Sequence, residues 1–581
     1  MLLSFVLLLA RLWYLQVVQG SYFKERSENN RVRTQFLPPP RGKILDRNGE
    51  VLAKNRPSFD VVMYVTEVGD VQKVLHELSR LTGTSFEDLS AKYEKEKHYA
   101  RFIPRILLPH VDREIIAKVK ANRWRLPGID VRYRPSRWYV HGDLAAHLIG
   151  YIREIDETQL KAPAYAAYYR SGDLVGKYGL ERKWEQSLQG RRGRNNIVVN
   201  VHGVKMSDLA ASDPMYQTDA IPGQSIKLTI DLDVQRAADE ALKELKGGVV
   251  ALDVSTGEVL AMASSPRFDP NMFIGDLSSK EWNDIVSGPG RKLNNRAMQG
   301  AYPPGSTFKV IMGAAALEEG VIDPHEKVYC PGHYAFGGRR FHCHKRSGHG
   351  NVDLKQAIIE SCDVYFYVVG QRLGIDRIHE YAYRFGLGHQ TGIDLAHESP
   401  GLVPSTQWKK KRFSGTEQEK WYPGETLSVV IGQGANLATP LQMAVATAAI
   451  ANGGKVFKPQ LLKGIYGASG TFQDESFAPE QVDELRLHQS TLALLRSAME
   501  GVVNDPKGTA RRARLPEEWG IRVAGKTGTS QVVSLAKKDS SKEYEHHAWF
   551  IGYAPAQNPE IAVAALIENG GHGGATAAPV V

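Results

Sequence analysis

The stretch that most narrows what this chain can become is Tyr302-Pro303-Pro304-Gly305-Ser306-Thr307-Phe308-Lys309. Pro-Pro-Gly breaks the chain, and the apolar, Ala-rich run from Val310 to Leu317 behind it reads as a helix. Ser306 and Lys309 then fall in its first turn, on one face. That spacing sets a hydroxyl beside an amine. A desolvated amine near the positive end of a helix dipole loses its proton readily and can accept the serine proton. Alone, Ser-x-x-Lys equally describes a helix cap and a solvated lysine, so the reading depends on partners downstream.

Two partners follow. Ser361-Cys362-Asp363 lies between the helical patterns Leu354 to Glu360 and Val364 to Leu373. Lys526-Thr527-Gly528-Thr529 lies inside the alternating run Ile521 to Val533, which reads as a strand. Ser-x-x-Lys, a Ser-x-Asn type element and Lys-Thr-Gly are the motif set of penicillin-binding proteins and class A β-lactamases. The chain resembles the class B penicillin-binding proteins. Within them, Ile431-Gly432-Gln433-Gly434 favours the elongation-specific branch over the division branch. Trp421 to Gln433 and Thr439-Pro440-Leu441-Gln442-Met443 also resemble the family. Further upstream, Arg41-Gly42-Lys43-Ile44-Leu45-Asp46-Arg47-Asn48-Gly49 and Gly176-Lys177-Tyr178-Gly179-Leu180-Glu181 match motifs of its pedestal, where these polar residues are structural.

The resemblance implies an α/β fold: a penicillin-recognising transpeptidase domain, with a five-stranded antiparallel sheet sandwiched by helices, on an elongated α+β pedestal. The expected strands are Gly248 to Val254, Glu258 to Ala263, the Lys526 run, Ala548 to Tyr553 and Ile561 to Ile567. Expected domains are a partial transmembrane anchor at 1–20, a pedestal at 21–215 and the transpeptidase domain at 216–581. The implied activity is peptidoglycan cross-linking during cell elongation, through a serine acyl-enzyme that β-lactams also trap. Ser306 would be the nucleophile, Lys309 its base and Ser361 part of the proton path to the departing D-alanine. Lys526 would keep its charge and, with Thr527 and Thr529, hold the substrate carboxylate. Gly528 would leave room for the peptide, and the N–H groups of Ser306 and Thr529 would receive the oxyanion. Asp363 departs from the usual middle motif, which has Asn there, although the elongation branch often carries Asp. Ionised aspartate accepts without donating, which puts an amide contact to substrate in doubt and opens a pairing with a motif lysine.

The three cysteines, Cys330, Cys343 and Cys362, fall within 33 residues, beside His333, His342, His344 and His349. Three cannot all pair in an oxidising compartment. Three thiolates and one imidazole complete a tetrahedral structural zinc site. Proteins that resemble this one carry a metal-binding set here, with Gly348-His349-Gly350 as the shared landmark, which makes His349 the fourth ligand and His344 or His333 the alternatives. A Cys330–Cys343 disulfide with Cys362 inert is the competing arrangement.

At 581 residues the chain exceeds one core, and its net charge of +9 suits an anionic surface nearby. No nucleic-acid-binding signature is present. Leu2 to Ala10 followed by Arg11 and Trp13-Tyr14 reads as the outer half of an inner-membrane anchor, single-pass, with the bulk of the chain periplasmic. The implied partners are stem peptides and lipid-linked precursor strands of peptidoglycan, a SEDS-family glycosyltransferase, the membrane and β-lactams. A β-lactamase would be shorter and would need a deacylating glutamate, and a bifunctional class A enzyme would need a glycosyltransferase domain where the pedestal motifs lie. The remaining alternatives are a scaffold that activates its glycosyltransferase and a D,D-carboxypeptidase.

Overall fold

The computed structural model describes residues 2–23, 32–97, 103–170, 172–199, 205–207, 217–275, 277–467, 472–473, 478–531 and 545–581. Leu2–Trp13 is a 12-residue α-helix that passes into a single π-helical turn, Tyr14–Val18. Twelve residues span about 18 Å, against a hydrocarbon layer of about 30 Å. No helix among the described residues is long and apolar enough to cross a membrane. This corrects the partial membrane anchor at 1–20 and the single-pass inner-membrane location drawn from it. The polar segment Ser21 to Phe36 has a helical pattern in the sequence, the reading of a stalk leaving the membrane, but residues 24–31 lie outside the described residues and its end is the strand Val32–Leu37. That strand pairs antiparallel with Gly193–Val199, a long-range partner that overrides the local pattern. The boundary expected at 215/216 also lies outside the described residues.

In the N-terminal half, Asn48-Gly49, a strong hairpin signal between two apolar runs, makes a turn. Asp46 Oδ1 accepts the N–H groups of Asn48 and Glu50, both at 2.8 Å, and Gly49 takes φ +93°. The strands it joins, Ile44–Leu45 and Val51–Met63, belong to a seven-stranded sheet that also contains Ser225–Leu228 and Leu462–Tyr466. One sheet therefore runs from the pedestal into the C-terminal half. A buried charge cluster lies within the N-terminal half: Glu181 receives Arg41 Nε at 2.6 Å and Arg137 Nε at 2.7 Å. Arg41 also reaches Glu185 at 2.7 Å.

The C-terminal half is built on strands β1 (Gly247–Asp253), β2 (Val259–Ser265), β3 (Ala524–Ser530), β4 (His547–Ala554) and β5 (Ile561–Ile567). Their order is β2-β1-β5-β4-β3, and every pair is antiparallel. Side chains alternate between faces along a strand, yet β1 and β2 are buried at nearly every position, so both faces of the sheet are covered. Helices α1 (Lys309–Glu318), α2 (Asp363–Leu373), α3 (Pro423–Val430), α4 (Pro440–Ala451) and α5 (Gln489–Asn504) belong to this half, with α4 and α5 packed on the sheet. α4 is buried along its whole length and starts with a capping box, Thr439 with Gln442, and Pro440 in the first turn. β3 is an edge strand, which leaves one row of its backbone groups available.

Candidate active site

Gly305, at φ +56°, turns the chain into a 3-10 turn, Gly305–Phe308, and α1 begins at Lys309. Ser306 thus sits in the 3-10 turn and not in the α-helix proper, still three residues from the lysine. Lys309 is fully buried. Its ammonium donates to Asp363 Oδ1 at 2.7 Å and to the Ser361 carbonyl at 2.8 Å, with Ser361 Oγ at 3.4 Å. No hydrogen bond among the described residues joins it to Ser306. Asp363 therefore pairs with a motif lysine.

Ser361 owes its position to an unusual backbone. After the short helix Leu354–Ile359 it adopts φ +58°, a left-handed conformation that costs a non-glycine residue roughly 1–3 kcal/mol. The twist brings its carbonyl onto Lys309 and its hydroxyl onto Lys526, whose Nζ lies 2.8 Å from Ser361 Oγ. Ser361 bridges the two lysines. Burial, then the nearby Lys309 charge, push the Lys526 ammonium well below the ordinary lysine range, with Asp363 opposing. This works against the expectation that Lys526 simply keeps its charge. Burial raises the Asp363 carboxyl, but Lys309 and His344 outweigh it and hold the group below the usual carboxylate range.

The rest of the Lys-Thr-Gly strand closes on the Ser306 turn. A Cβ on Gly528 would lie 2.8 Å from the Pro304 carbonyl and 2.9 Å from Trp549 Cβ. The glycine is thus demanded by the protein's own packing of β3 against the nucleophile turn. Trp549 Nε1 donates to the Pro303 carbonyl at 2.9 Å and ties β4 to the same turn. Thr527 Oγ1 lies 2.8 Å from Thr509 Oγ1, and Thr529 Oγ1 accepts from the Gly573 N–H at 3.4 Å.

Cys330, Cys343 and Cys362 are buried and none is in a disulfide, which removes the competing Cys330–Cys343 bridge. With His349 they bring four ligand atoms within 4.8 Å of one another, a set that could hold a metal ion. His349 Nδ1 is 3.6 Å from Cys330 Sγ and 3.5 Å from Cys343 Sγ. His344 Nδ1 is further from Cys343 Sγ, at 3.9 Å, and also faces Asp363. His333 lies on the hairpin strand His333–Phe336, opposite His342.

A family model for the penicillin-binding protein transpeptidase domain matches residues 247–581, and one for the penicillin-binding protein dimerisation domain matches 36–228. The chain belongs to the penicillin-binding protein transpeptidase family. It is 37% identical over 588 residues to a curated relative, peptidoglycan D,D-transpeptidase MrdA of Haemophilus influenzae, covering 99% of this chain and 88% of that protein. Among solved structures, the complex between penicillin-binding protein (PBP2) and MreC from Helicobacter pylori aligns with a TM-score of 0.78 at 29% identity, over 94% of this chain and 97% of that one. Another, "Structural coordination of polymerization and crosslinking by a peptidoglycan synthase complex", aligns at 0.71 and 32% identity, over 100% and 95%.

Within this family frame, sequence reasoning missed two contributors. The backbone N–H of His344 donates to Asp363 Oδ2 at 2.8 Å, so the cysteine-bearing loop orients the carboxylate that holds Lys309. Thr509, in the turn after α5, engages Thr527. Neither contact leaves a signal in composition or periodicity, because each depends on two segments meeting in space.

Proposed function

We propose that this protein is a serine-type peptidoglycan D,D-transpeptidase that cross-links stem peptides during cell elongation and is acylated by β-lactams. The observation that carries the reading is the single buried cluster in which Ser361 is bonded to both Lys309 and Lys526, beside the Ser306 turn. Acyl transfer needs a nucleophile, a base, a proton path and an oxyanion site. Ser306 Oγ attacks the carbonyl of the penultimate D-alanine, and Lys309, held neutral for that part of the cycle, takes its proton. Ser361, between the lysines, passes a proton to the departing D-alanine. Burial disfavours the charged form of Lys526, and the substrate's terminal carboxylate offsets this by pairing with the ammonium, with Thr527 and Thr529 completing that carboxylate site. The N–H groups of Ser306 and Thr529 receive the oxyanion. An amine from a neighbouring stem then captures the acyl group.

Zinc fits the Cys330, Cys343, His349 and Cys362 set. Tetrahedral zinc with bonds of about 2.3 Å to sulfur and about 2.05 Å to nitrogen separates the two atom types by roughly 3.6 Å. The observed 3.5 and 3.6 Å match this spacing. The ion's role is structural, holding the loop from Cys330 to His349 against Ser361 and Asp363. We further assign residues 21–215 to a pedestal and 216–581 to the transpeptidase domain, where the family models match 36–228 and 247–581. A SEDS-family glycosyltransferase is the proposed partner, by analogy with the related synthase complex that couples polymerisation to cross-linking. Lipid-linked precursor strands are then the source of the stems.

Intact mass after incubation with a penicillin tests the chemistry. One slowly hydrolysed adduct is expected on the wild type and none on Ser306→Ala. Fast turnover would indicate a lactamase, and no adduct on the folded wild type would sink the enzymatic reading. Released D-alanine without dimeric product would favour a carboxypeptidase. Zinc equimolar with the chain, lost in Cys343→Ser, is expected by elemental analysis, and a metal-free wild type that melts at the same temperature with and without chelator would refute the site.

A further inference from the structure

The turn after α3 touches both halves of the oxyanion site. Gly432 and Gly434 take φ +72° and +70°, which folds Ile431-Gly432-Gln433-Gly434 back on the end of the helix. The Gly305 N–H donates to the Gly432 carbonyl at 2.9 Å. The two glycines are in close contact: a Cβ on Gly432 would fall 2.2 Å from the Gly305 oxygen. The next residue reaches the other way. Gln433 Nε2 donates to the Thr529 carbonyl at 3.0 Å, and its Oε1 accepts the Gln531 N–H at 3.3 Å.

These bonds define a direction. Because the Thr529 carbonyl accepts from Gln433, it points away from β4, and in a strand the N–H of the same residue points the same way. That side faces the nucleophile turn, since a Cβ on Gly305 would lie 2.7 Å from the Thr529 oxygen and 3.1 Å from its nitrogen. One short turn is thus bonded to Gly305, next to Ser306, and to Thr529, while the N–H groups that must converge on one oxygen are those of Ser306 and Thr529.

We propose that Gln433 is a positioning residue that clamps Thr529 of β3 against the Gly305–Ser306 turn and so sets the separation of the two oxyanion donors. It touches neither substrate nor reacting atoms. The inference rests on the reading of Ser306 as the acylated nucleophile. A clamp of this kind acts on the acylation step, because the donors matter most once negative charge has developed.

The test is stopped-flow acylation by a fluorescent penicillin, resolved into the dissociation constant of the non-covalent complex and the acylation rate constant. Gln433→Met keeps the length without the hydrogen bonds. Gln433→Glu, the milder change, keeps the acceptor for Gln531 but sets a carboxylate against the Thr529 carbonyl. Both are expected to lower the acylation rate constant about 10- to 100-fold, less than or comparable to losing a donor outright, with the dissociation constant changed less than about threefold. Amide hydrogen exchange on the same proteins is expected to speed up in the peptides that carry Ser306 and Thr529. Unchanged acylation and exchange in both variants, or a loss that falls wholly on the dissociation constant, would overturn the proposal. If the wild type takes no penicillin, the nucleophile reading fails, and the exchange comparison still decides the clamp.

Discussion

Placing the motif's usual Asn at position 363 is expected to damage this protein. Asp363→Asn changes one atom, and the structure gives a reason for a large cost. Both carboxylate oxygens are in use: Oδ1 receives Lys309 Nζ at 2.7 Å, and Oδ2 receives the His344 N–H at 2.8 Å. A carboxamide has one acceptor oxygen and one donor nitrogen. If the oxygen faces Lys309, the amide nitrogen meets the His344 N–H; flipped, it meets the ammonium. Either way a buried donor loses its acceptor, at about 1–3 kcal/mol. Lys309, fully buried, also loses its counter-ion, and breaking such a pair typically costs about 3–5 kcal/mol. These two costs overlap. We therefore expect about 3 kcal/mol of destabilisation of the transpeptidase half. Urea unfolding measures it, and penicillin acylation should slow in parallel. An Asn variant within about 1 kcal/mol of the wild type, acylated at an unchanged rate, would refute the claim that both oxygens are committed.

Two further outcomes follow from buried groups outside the active site. Glu181→Gln should destabilise the N-terminal half by about 3–5 kcal/mol, because it leaves the buried Arg137 guanidinium without its counter-ion; adding Arg137→Met should recover part of the loss, and equal urea midpoints for Glu181→Gln and wild type would contradict this. His147 is held down at about 4 against an ordinary value of 6.5, chiefly by burial, while its Nε2 meets the Lys292 carbonyl at 2.6 Å. The folded form therefore binds fewer protons than the unfolded one, and stability is lost as pH falls from about 6.5 to about 4, up to roughly 3 kcal/mol. Asp239, raised to about 6 by burial, works in the opposite sense over part of that range, so the comparison to make is wild type against His147→Gln at each pH; identical pH profiles would rule out the His147 contribution.

Much of the fold and site could be read along the chain because the controlling interactions are local. Pro303-Pro304-Gly305 ends one segment and the Ala-rich run starts a helix whatever lies around them. Asn48-Gly49 turns because Asp46 beside it supplies the acceptor. The expected strands reappear within a residue or two, except that the Lys526 run is confined to 524–530, with 532–533 outside the described residues. Where local pattern and distant partner disagree, the partner prevails, as at Val32–Leu37. The apolar start of the chain shows the opposite limit, since nine apolar residues suggest part of an anchor while the helix they form is too short to cross a membrane.

The sequence by itself determined which chemical groups this protein owns and the local elements that carry them: a serine and lysine one turn apart, a second serine beside an aspartate, a lysine on a strand, and three cysteines near a histidine. Only the tertiary structure decided what those groups do to one another. The order β2-β1-β5-β4-β3 makes the Lys526 strand an edge, so its backbone can meet the Ser306 turn. The left-handed Ser361 bridges two lysines, and Asp363 is shared between Lys309 and the cysteine loop. Hydrogen bonds, ion pairs and desolvation act over a few ångströms, and residues tens to hundreds of positions apart come within that range only when the chain has folded.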